Sequence, residues 1–243
     1  VRLAPDDAES NYQLGLTLLA AGQHGDAAEA HRQAARLAPE NVQYTFHAGH
    51  SFRLVGRLNE AESTLRHALI LANGLASETA ALRDELGTVL TLQGRYHEAL
   101  REYEEALALS DSPGIRRNMG SVQARLRQFD EAAESYSRAL REEPTNAVWE
   151  NELGDILMAR GQQDMALHHY LRASELQPGQ ALYLRNLGIC LKHMGRVQES
   201  RGHLQKALDL EPDNPDLRNH LGIVLTLLED LSQALVHLGK AVE

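Results

Sequence analysis

Glycine recurs in this chain at a nearly constant spacing, and this spacing constrains the fold more than any other feature. The steps between the recurring positions are 34, 38, 33, 34, 34 and 34 residues. The positions are Gly15, Gly49, Gly87, Gly120, Gly154, Gly188 and Gly222. A small residue follows each glycine by 12 residues and an alanine by 19, so three small side chains keep register seven times. Such a period is typical of one structural unit repeated along a chain.

Each period contains two helical segments of about a dozen residues with a short break between them. One example reads LYLRNLGICLKHM, then GR, then VQESRGHLQKALDLE. Proline, which cannot continue a helix, follows the second segment at Pro5, Pro39, Pro144, Pro178 and Pro212. Glycine inside a helix costs about 1 kcal/mol relative to alanine, so each recurring glycine needs a compensating reason. We interpret Gly188 as a close packing contact and expect Gly188→Leu to destabilise the hairpin by ~1–3 kcal/mol.

The repeated unit closely resembles the tetratricopeptide repeat. The resemblance covers nearly the whole chain and rests on L-G-x-x-L, a second glycine seven residues after the first, E-A, alanine and proline. The second glycines are Gly22, Gly56, Gly94, Gly161 and Gly195. The resemblance implies an all-α fold, an α-solenoid in which seven antiparallel helix hairpins form a right-handed superhelix. In such a fold the first helix of each hairpin lines a concave groove.

The period predicts a single superhelical domain over residues 1–243. Its repeats are expected at about 8–41, 42–75, 80–112, 113–146, 147–180, 181–214 and 215–243. Residues 1–7 match the tail of a preceding repeat, and residues 76–79 are expected to form an insertion near Gly74-Leu75-Ala76-Ser77. Both ends look cut, so we expect this segment to belong to something longer. Arg127 and Glu229 replace the second glycine in two repeats, where the sequence predicts less regular turns.

Helical geometry predicts which residues of each first helix face the groove. With the recurring glycine counted as position 8, positions 3, 7, 10, 11 and 14 share one arc and positions 2, 5, 6, 9, 12 and 13 the opposite one. Asparagine side chains on the second arc can both donate and accept hydrogen bonds, which suits the backbone of an extended peptide. The candidate peptide-binding residues are Tyr12, Phe46, His50, Arg117, Asn118, Asn151, Arg185, Asn186, Lys192 and His220.

The candidate groove is predicted to have an apolar and aromatic zone, an acidic zone and two basic zones. The apolar and aromatic zone belongs to repeats one and two, the acidic zone to repeat three, and the two basic zones to repeats four and six. Asparagine precedes Leu-Gly or Met-Gly in two of seven repeats, a partial resemblance to the asparagine ladder in the arms of O-linked N-acetylglucosamine transferases. The carboxylate clamp of chaperone-binding relatives needs an asparagine four residues after the basic residue. It does not fit, because Ser121 and Ile189 stand four residues after Arg117 and Arg185, and Glu152 stands where another asparagine is needed. The polar arc is equally explained as an ordinary solvated surface.

Composition argues against several other functions. A net charge of −10 argues against nucleic acid as the principal ligand, and no apolar run is long enough for membrane insertion. Phosphate-binding, zinc-protease and nucleophile-elbow motifs are not found. We expect no catalytic residues, no cofactor and no metal: the pairs His47/His50 and His168/His169 lack completing ligands. Cys190 is interpreted as a small core residue.

The favoured function is a non-catalytic scaffold that binds a peptide or partner segment in the groove. One alternative is the substrate-recruiting arm of a larger enzyme, such as a glycosyltransferase or a sulfotransferase. Another is a bacterial scaffold for secretion or assembly. The end helices of an open stack are also candidates for self-association. The sequence does not identify the ligand or the compartment, although a cytoplasmic location is slightly favoured.

Overall fold

A computed structural model describes residues 7–72 and 76–242 of the protein, and within them it contains fourteen α-helices and no strand. The helices alternate between a first and a second helix of each repeat. The first helices are α1 (Ala8–Ala20), α3 (Val42–Leu54), α5 (Ala76–Leu92), α7 (Pro113–Arg125), α9 (Ala147–Ala159), α11 (Ala181–His193) and α13 (Pro215–Leu227). The second helices are α2 (His24–Leu37), α4 (Leu58–Ala72), α6 (Tyr96–Leu109), α8 (Phe129–Glu142), α10 (Gln163–Leu176), α12 (Val197–Leu210) and α14 (Leu231–Ala241). The predicted all-α solenoid of paired helices is confirmed.

Local sequence explains where the helices begin and end. Asn41, Asn146 and Asn214 cap α3, α9 and α13, because each side-chain oxygen accepts a hydrogen bond from a backbone N–H in the first turn. Pro113 and Pro215 occupy first-turn positions of α7 and α13, where the missing N–H has no cost. The four later prolines of the repeating pattern each lie two residues after the end of a second helix.

The turn inside each hairpin uses a left-handed residue. Gly22 and its four equivalents have φ between 74° and 77°. Arg127 and Glu229 adopt φ values of 62° and 63° at the same place. Glu229 N–H donates to Thr226 O at 3.1 Å, as Gly22 N–H does to Leu19 O at 3.0 Å. The prediction of less regular turns at Arg127 and Glu229 was therefore wrong, because the surrounding helices hold a non-glycine residue in the left-handed conformation despite its intrinsic cost.

The chain divides into two compact units, residues 1–126 and 127–243. In the first unit each helix from α1 to α7 packs against the next, and the same holds from α8 to α14 in the second unit. First helices of successive repeats also contact one another, as α3 contacts α5 and α9 contacts α11. Buried leucines, alanines and tyrosines fill the interior of both units. Each unit is therefore a stack in which every helix is stabilised mainly by its neighbours.

The recurring small residues lie at the contact between the two helices of a hairpin. All seven marker glycines are buried. A Cβ atom built on Gly188 would lie 2.7 Å from Leu204 Cγ, and one built on Gly154 would lie 2.6 Å from Tyr170 Cε1. The interpretation of Gly188 as a close packing contact is thus confirmed. The predicted core position of Cys190 is also confirmed, since its side chain has no solvent exposure.

Two of the domain predictions concern segments of which the structure describes only a part. Residues 1–6, part of the predicted tail of a preceding repeat, and residues 73–75, which include Gly74 and Leu75, lie outside the described residues. The described part of the predicted insertion is helical, because α5 begins at Ala76 and is 17 residues long, whereas α3 has 13 residues. The repeat boundaries themselves stay a prediction.

Candidate functional site

The first-helix face comprises positions 2, 5, 6, 9, 12 and 13 of each first helix, counted with the marker glycine as position 8. Most of its residues are half-buried or exposed, whereas positions 7, 10 and 11 of the same helices are mostly buried. Eight of the ten candidate residues on this face are half-buried, and two, Tyr12 and Asn151, are buried at 7% and 5% exposure. The face therefore mixes polar side chains with exposed apolar ones such as Val148, Leu182 and Leu227, and it lies above a layer of buried residues that a ligand cannot reach.

Side chains on this face pair between successive repeats at the same two positions. Position 5 of one repeat meets position 6 of the next in three places. The pairs are Tyr12 Oη with His47 Nε2 at 3.3 Å, Asn118 Nδ2 with Asp84 Oδ1 at 2.9 Å, and Asn186 Nδ2 with Asn151 Oδ1 at 3.0 Å. We call this set of pairs the side-chain ladder. The ladder fixes the orientation of these side chains, because each partner stands on a different first helix.

In the first unit the ladder continues into a charged network. Asn118 Oδ1 accepts a long hydrogen bond of 3.4 Å from Arg117, the residue before it. On the neighbouring helix Glu85 Oε1 accepts from His50 Nδ1 at 3.0 Å and from Arg53 Nε. Burial alone would raise the pKa of Glu85, but the bonds from His50 and Arg53 outweigh burial and lower this pKa. The predicted acidic zone is thus internally compensated at Glu85.

Asp84 is the less compensated carboxylate of this network. Burial raises the pKa of Asp84, and the hydrogen bond from Asn118 opposes the rise only in part. The charge of Glu85 beside it also raises the pKa. The Asn118 amide, followed by the charge of Arg53, is therefore what compensates the buried Asp84 carboxylate.

The second unit repeats the arrangement with a different carboxylate. Asn186 Nδ2 also approaches Asp155 Oδ1 at 3.3 Å, and Tyr170 Oη donates to the same oxygen at 2.7 Å. Desolvation raises the pKa of Asp155, while the bond from Tyr170 opposes it. Arg185 donates to Asn186 Oδ1 at 3.4 Å, as Arg117 does to Asn118. An arginine and an asparagine in sequence therefore form the same local unit in repeats four and six.

An aromatic and histidine cluster lies at the start of the first unit. Phe46 stacks on His50 with ring centroids 6.3 Å apart, and Tyr12 contacts Tyr44 at 5.0 Å. Below them His31 is fully buried, and its Nδ1 lies 2.7 Å from Ser51 Oγ. Burial, followed by repulsion from His47 and His50, lowers the pKa of His31 to about 4. The predicted apolar and aromatic zone therefore exists around Phe46, but Tyr12 belongs to its floor.

The remaining candidates form a positively charged region in the second unit. Lys192 and His220 are both half-buried on the first-helix face. Burial lowers the pKa of His220, and the charges of Lys192 and Arg185 lower it further. The Asp216 carboxylate acts in the opposite direction and raises the pKa of His220. The basic side chains of Arg185 and Lys192 give this region a capacity to accept negative charge from a ligand.

Several members of these networks were not predicted from the sequence. Gln43 Nε2 donates to Tyr12 Oη at 2.9 Å, and Tyr44 Oη donates to Glu9 Oε2 at 2.6 Å. Their separations of 31 and 35 residues are close to one repeat. A search for polar residues spaced by one period would have indicated the Gln43 contact on the first-helix face, but not that of Tyr44, which lies at position 3 on the buried arc.

Among residues 7–72 and 76–242, no group of three or more histidine, cysteine, aspartate or glutamate side chains is arranged to hold a metal ion. In the same part of the chain, none of the helices combines the length and the apolar character needed to cross a membrane.

Models of one protein family match most of the chain. Models described as the tetratricopeptide repeat match residues 8–41, 42–112, 85–147 and 181–214. None of the curated proteins matches the sequence.

Several solved structures are similar to this one. PilW, a type IV pilus biogenesis factor, is 19% identical with a TM-score of 0.79, and the match covers 90% of this chain and 98% of PilW. PilF of Pseudomonas aeruginosa is 21% identical with a TM-score of 0.71, over 84% of this chain and 92% of PilF. YrrB, described as a TPR protein with an unusual peptide-binding site, is 24% identical with a TM-score of 0.62, over 76% of this chain and 94% of YrrB. Identities this low indicate a shared fold and nothing more specific.

Proposed function

Because the chain belongs to the tetratricopeptide repeat family, we propose that it is a non-catalytic protein-interaction scaffold. In this proposal the first-helix face binds an extended or helical peptide segment of a partner protein. The observation that carries the proposal is the side-chain ladder, which presents oriented polar groups at one-repeat intervals within each unit. Groups that are already ordered lose less conformational entropy when a ligand binds.

The asparagine amides of the ladder retain capacity for a ligand. An asparagine side chain offers two N–H donors and two lone pairs. At Asn118 the bonds to Asp84 and from Arg117 use one donor and one lone pair. At Asn186 the strong bond is to Asn151 at 3.0 Å, whereas the contacts with Asp155 and Arg185 are 3.3–3.4 Å long and are easily exchanged. The backbone C=O and N–H groups of a peptide can replace Asp155 and Arg185 as the hydrogen-bond partners of Asn186.

The proposal assigns the ten candidate residues to two layers. Tyr12 and Asn151 are buried and act as the fixed partners that hold His47 and Asn186 in place. The eight half-buried candidates are the proposed contacts with the ligand. The positively charged region around Arg185, Lys192 and His220 favours a ligand with negative charge at that position.

The test is a peptide array or a displayed peptide library, screened with the wild-type protein and with the triple variant Asn118→Ala, Asn186→Ala and Arg185→Ala. Hydrogen bonds of this kind contribute ~0.5–1.5 kcal/mol each and charged ones more, so we expect binding to weaken ~10- to 100-fold. A matched triple variant, Asn59→Ala, Arg101→Ala and Gln205→Ala, removes similar groups from exposed positions of second helices. We expect it to bind like the wild type. Undiminished binding by the first triple variant would place the site elsewhere.

A second candidate function is assembly or recruitment within a larger system. Two of the similar structures belong to PilW and PilF, the first of them described as a pilus biogenesis factor. A scaffold of this kind, or the substrate-recruiting arm of a larger enzyme, would use the same face. The complete open reading frame distinguishes them: an adjoining α/β domain favours the enzyme, and an upstream signal peptide favours the exported scaffold.

Self-association through the end helices also stays a proposal. The exposed apolar residues of α14 include Leu231, Leu235 and Val236. Light scattering across a concentration series, with Leu235→Lys as the variant, tests this contact. A mass that stays monomeric at all concentrations would contradict it.

A further inference from the structure

A cleft opens between the N-terminal halves of α3 and α5 in the first unit. Its volume is about 380 Å³. It is lined by Val42, Gln43, Phe46, Glu78, Ala81 and Leu82. Leu82 is 1% exposed and forms the floor, while the Glu78 carboxylate stands at the exposed rim. We call this space the Phe46 cleft; it is an apolar recess with one acidic edge.

An equivalent cleft opens between α11 and α13 in the second unit. Its volume is about 220 Å³. It is lined by Ala181, Leu182, Arg185, Glu211, Asn214 and Leu217. Both clefts use positions 1, 2 and 5 of one first helix and position 3 of the next, so we call the second one the Arg185 cleft. The recurrence indicates that this recess follows from the repeat geometry, and the residue at position 5 is one of the lining residues that differ between the two clefts.

Position 5 is phenylalanine in one cleft and arginine in the other. Resting on the proposed peptide-binding function, we propose that the Phe46 cleft receives one apolar side chain of the partner segment, adjacent to a lysine or arginine of the same segment that pairs with Glu78. An apolar side chain gains from burial against Phe46, Val42 and Leu82 because this removes hydrocarbon surface from water.

Charge complementarity determines the neighbouring residue of the partner. None of the described residues pairs with the Glu78 carboxylate at the rim. Arg83, on the same helix, is bound to Glu102 and Glu105 at 2.6 and 2.7 Å. Arg53, on the facing helix, is bound to Glu85. With a net charge of −10 for the chain, a basic residue next to the apolar one is attracted to this edge, and an acidic one is repelled.

The experiment uses capped dipeptides as probes, because they do not require the natural partner. Acetyl-Phe-Lys-amide, acetyl-Phe-Glu-amide and acetyl-Gly-Lys-amide are titrated into the 15N-labelled full chain, and backbone shifts are followed. We expect acetyl-Phe-Lys-amide to shift the amides of Phe46, Ala81 and Leu82, and to bind more tightly than either of the other two probes. Glu78→Gln is expected to reduce the preference for lysine over glutamate about two- to fivefold.

An exchange of the position 5 residues tests the role of that position. Phe46→Arg replaces the aromatic ring of the first cleft by the residue type that the second cleft has at position 5, and is expected to weaken acetyl-Phe-Lys-amide binding about fivefold or more. Arg185→Phe is expected to create a new set of shifts around Leu217. Unchanged binding by Phe46→Arg, with a native spectrum, would overturn the proposal, as would shifts confined to second helices. The array result of the ladder variant is independent of these titrations, so either proposal can fail while the other stands.

Discussion

At the scale of single residues, side-chain volume at the marker glycines decides how closely the two helices of a hairpin approach. A Cβ on Gly188 would lie 2.7 Å from Leu204 Cγ, inside a contact that is fully buried. We therefore expect Gly188→Ala to lower the free energy of unfolding by ~1–3 kcal/mol through overpacking. Chemical denaturation of the variant and of the wild type measures this difference.

A second glycine provides the control. Gly202 lies inside α12 and is exposed, and a methyl group added there would meet no atom within 4 Å beyond its own helix. Alanine is the better helix former, so Gly202→Ala is expected to raise the free energy of unfolding by ~0.5–1 kcal/mol. If Gly188→Ala lowers the free energy of unfolding and Gly202→Ala raises it, the packing role of the marker glycine is supported. Equal signs would refute it.

His31 occupies a core position at which other hairpins carry leucine or tyrosine. Its ring packs on Gly15 as Leu65 packs on Gly49 and Leu204 on Gly188. The pKa of His31 is lowered from 6.5 to about 4 by burial and by the charges of His47 and His50. Between these two pKa values the imidazole of His31 is protonated in the unfolded chain and neutral in the folded chain. The free energy of unfolding therefore falls as pH decreases from about 6.5 towards about 4.

The prediction from His31 is a pH dependence that a single substitution removes. Between pH ~7.5 and ~4.5 we expect this histidine to reduce the free energy of unfolding by ~2 kcal/mol. Other histidines titrate in the same range, so the quantity to compare is the difference between wild type and His31→Leu at each pH. If the difference in the free energy of unfolding between wild type and His31→Leu is the same at every pH, His31 is excluded as the source of the pH dependence.

At the scale of the helices, each rung of the ladder couples two successive first helices of one unit: α1 with α3, α5 with α7, and α9 with α11. Asp84 on α5 and Asn118 on α7 form one rung at 2.9 Å. A double-mutant cycle with Asp84→Ala and Asn118→Ala is expected to give a coupling energy of ~0.5–1.5 kcal/mol in denaturation. The same cycle between Asp84 and Gln13, an exposed residue of α1 two repeats away in the same unit, should give none. A rung without coupling would mean that the pair is an incidental surface contact.

The helices could be predicted from the sequence because small residues repeat where helices must approach closely. The buried side of each first helix could also be predicted, from helical geometry: Gly188, Leu187 and Cys190 are buried, as expected for residues on or beside the core arc. The partners within the candidate site could not be predicted in the same way, because a single period shows which face a residue occupies and not how far its side chain reaches into the next repeat. Asn151 was assigned to the polar face and is nevertheless buried beneath Asn186.

The turn at Glu229 shows another limit of the sequence pattern. Loss of a glycine was expected to disturb the turn, yet Glu229 keeps φ at 63°. The conformational preference of one residue amounts to ~1–2 kcal/mol. Packing of α13 against α14 outweighs that preference, so the hairpin geometry overrides the local rule.

At the scale of the whole molecule, the proposed function depends on the first-helix face, which the packing within each unit leaves open. Each hairpin uses its small residues and leucines to pack against its neighbours, and its polar first-helix residues remain at the surface. The ladder and the Phe46 cleft are two chemically different parts of this face, one suited to a peptide backbone and the other to an apolar side chain. The central claim is that this face, and no other surface, binds the partner segment.

The most direct measurement is a titration of the 15N-labelled protein with the best peptide from the array, in which the side-chain amide signals of Asn118 and Asn186 are followed by NMR. These NH2 groups report on the ladder itself. The account predicts that both shift with the same saturation curve as the backbone amides of the first helices. Saturable binding that leaves both side-chain amides unchanged, with shifts only on the second helices, would contradict it.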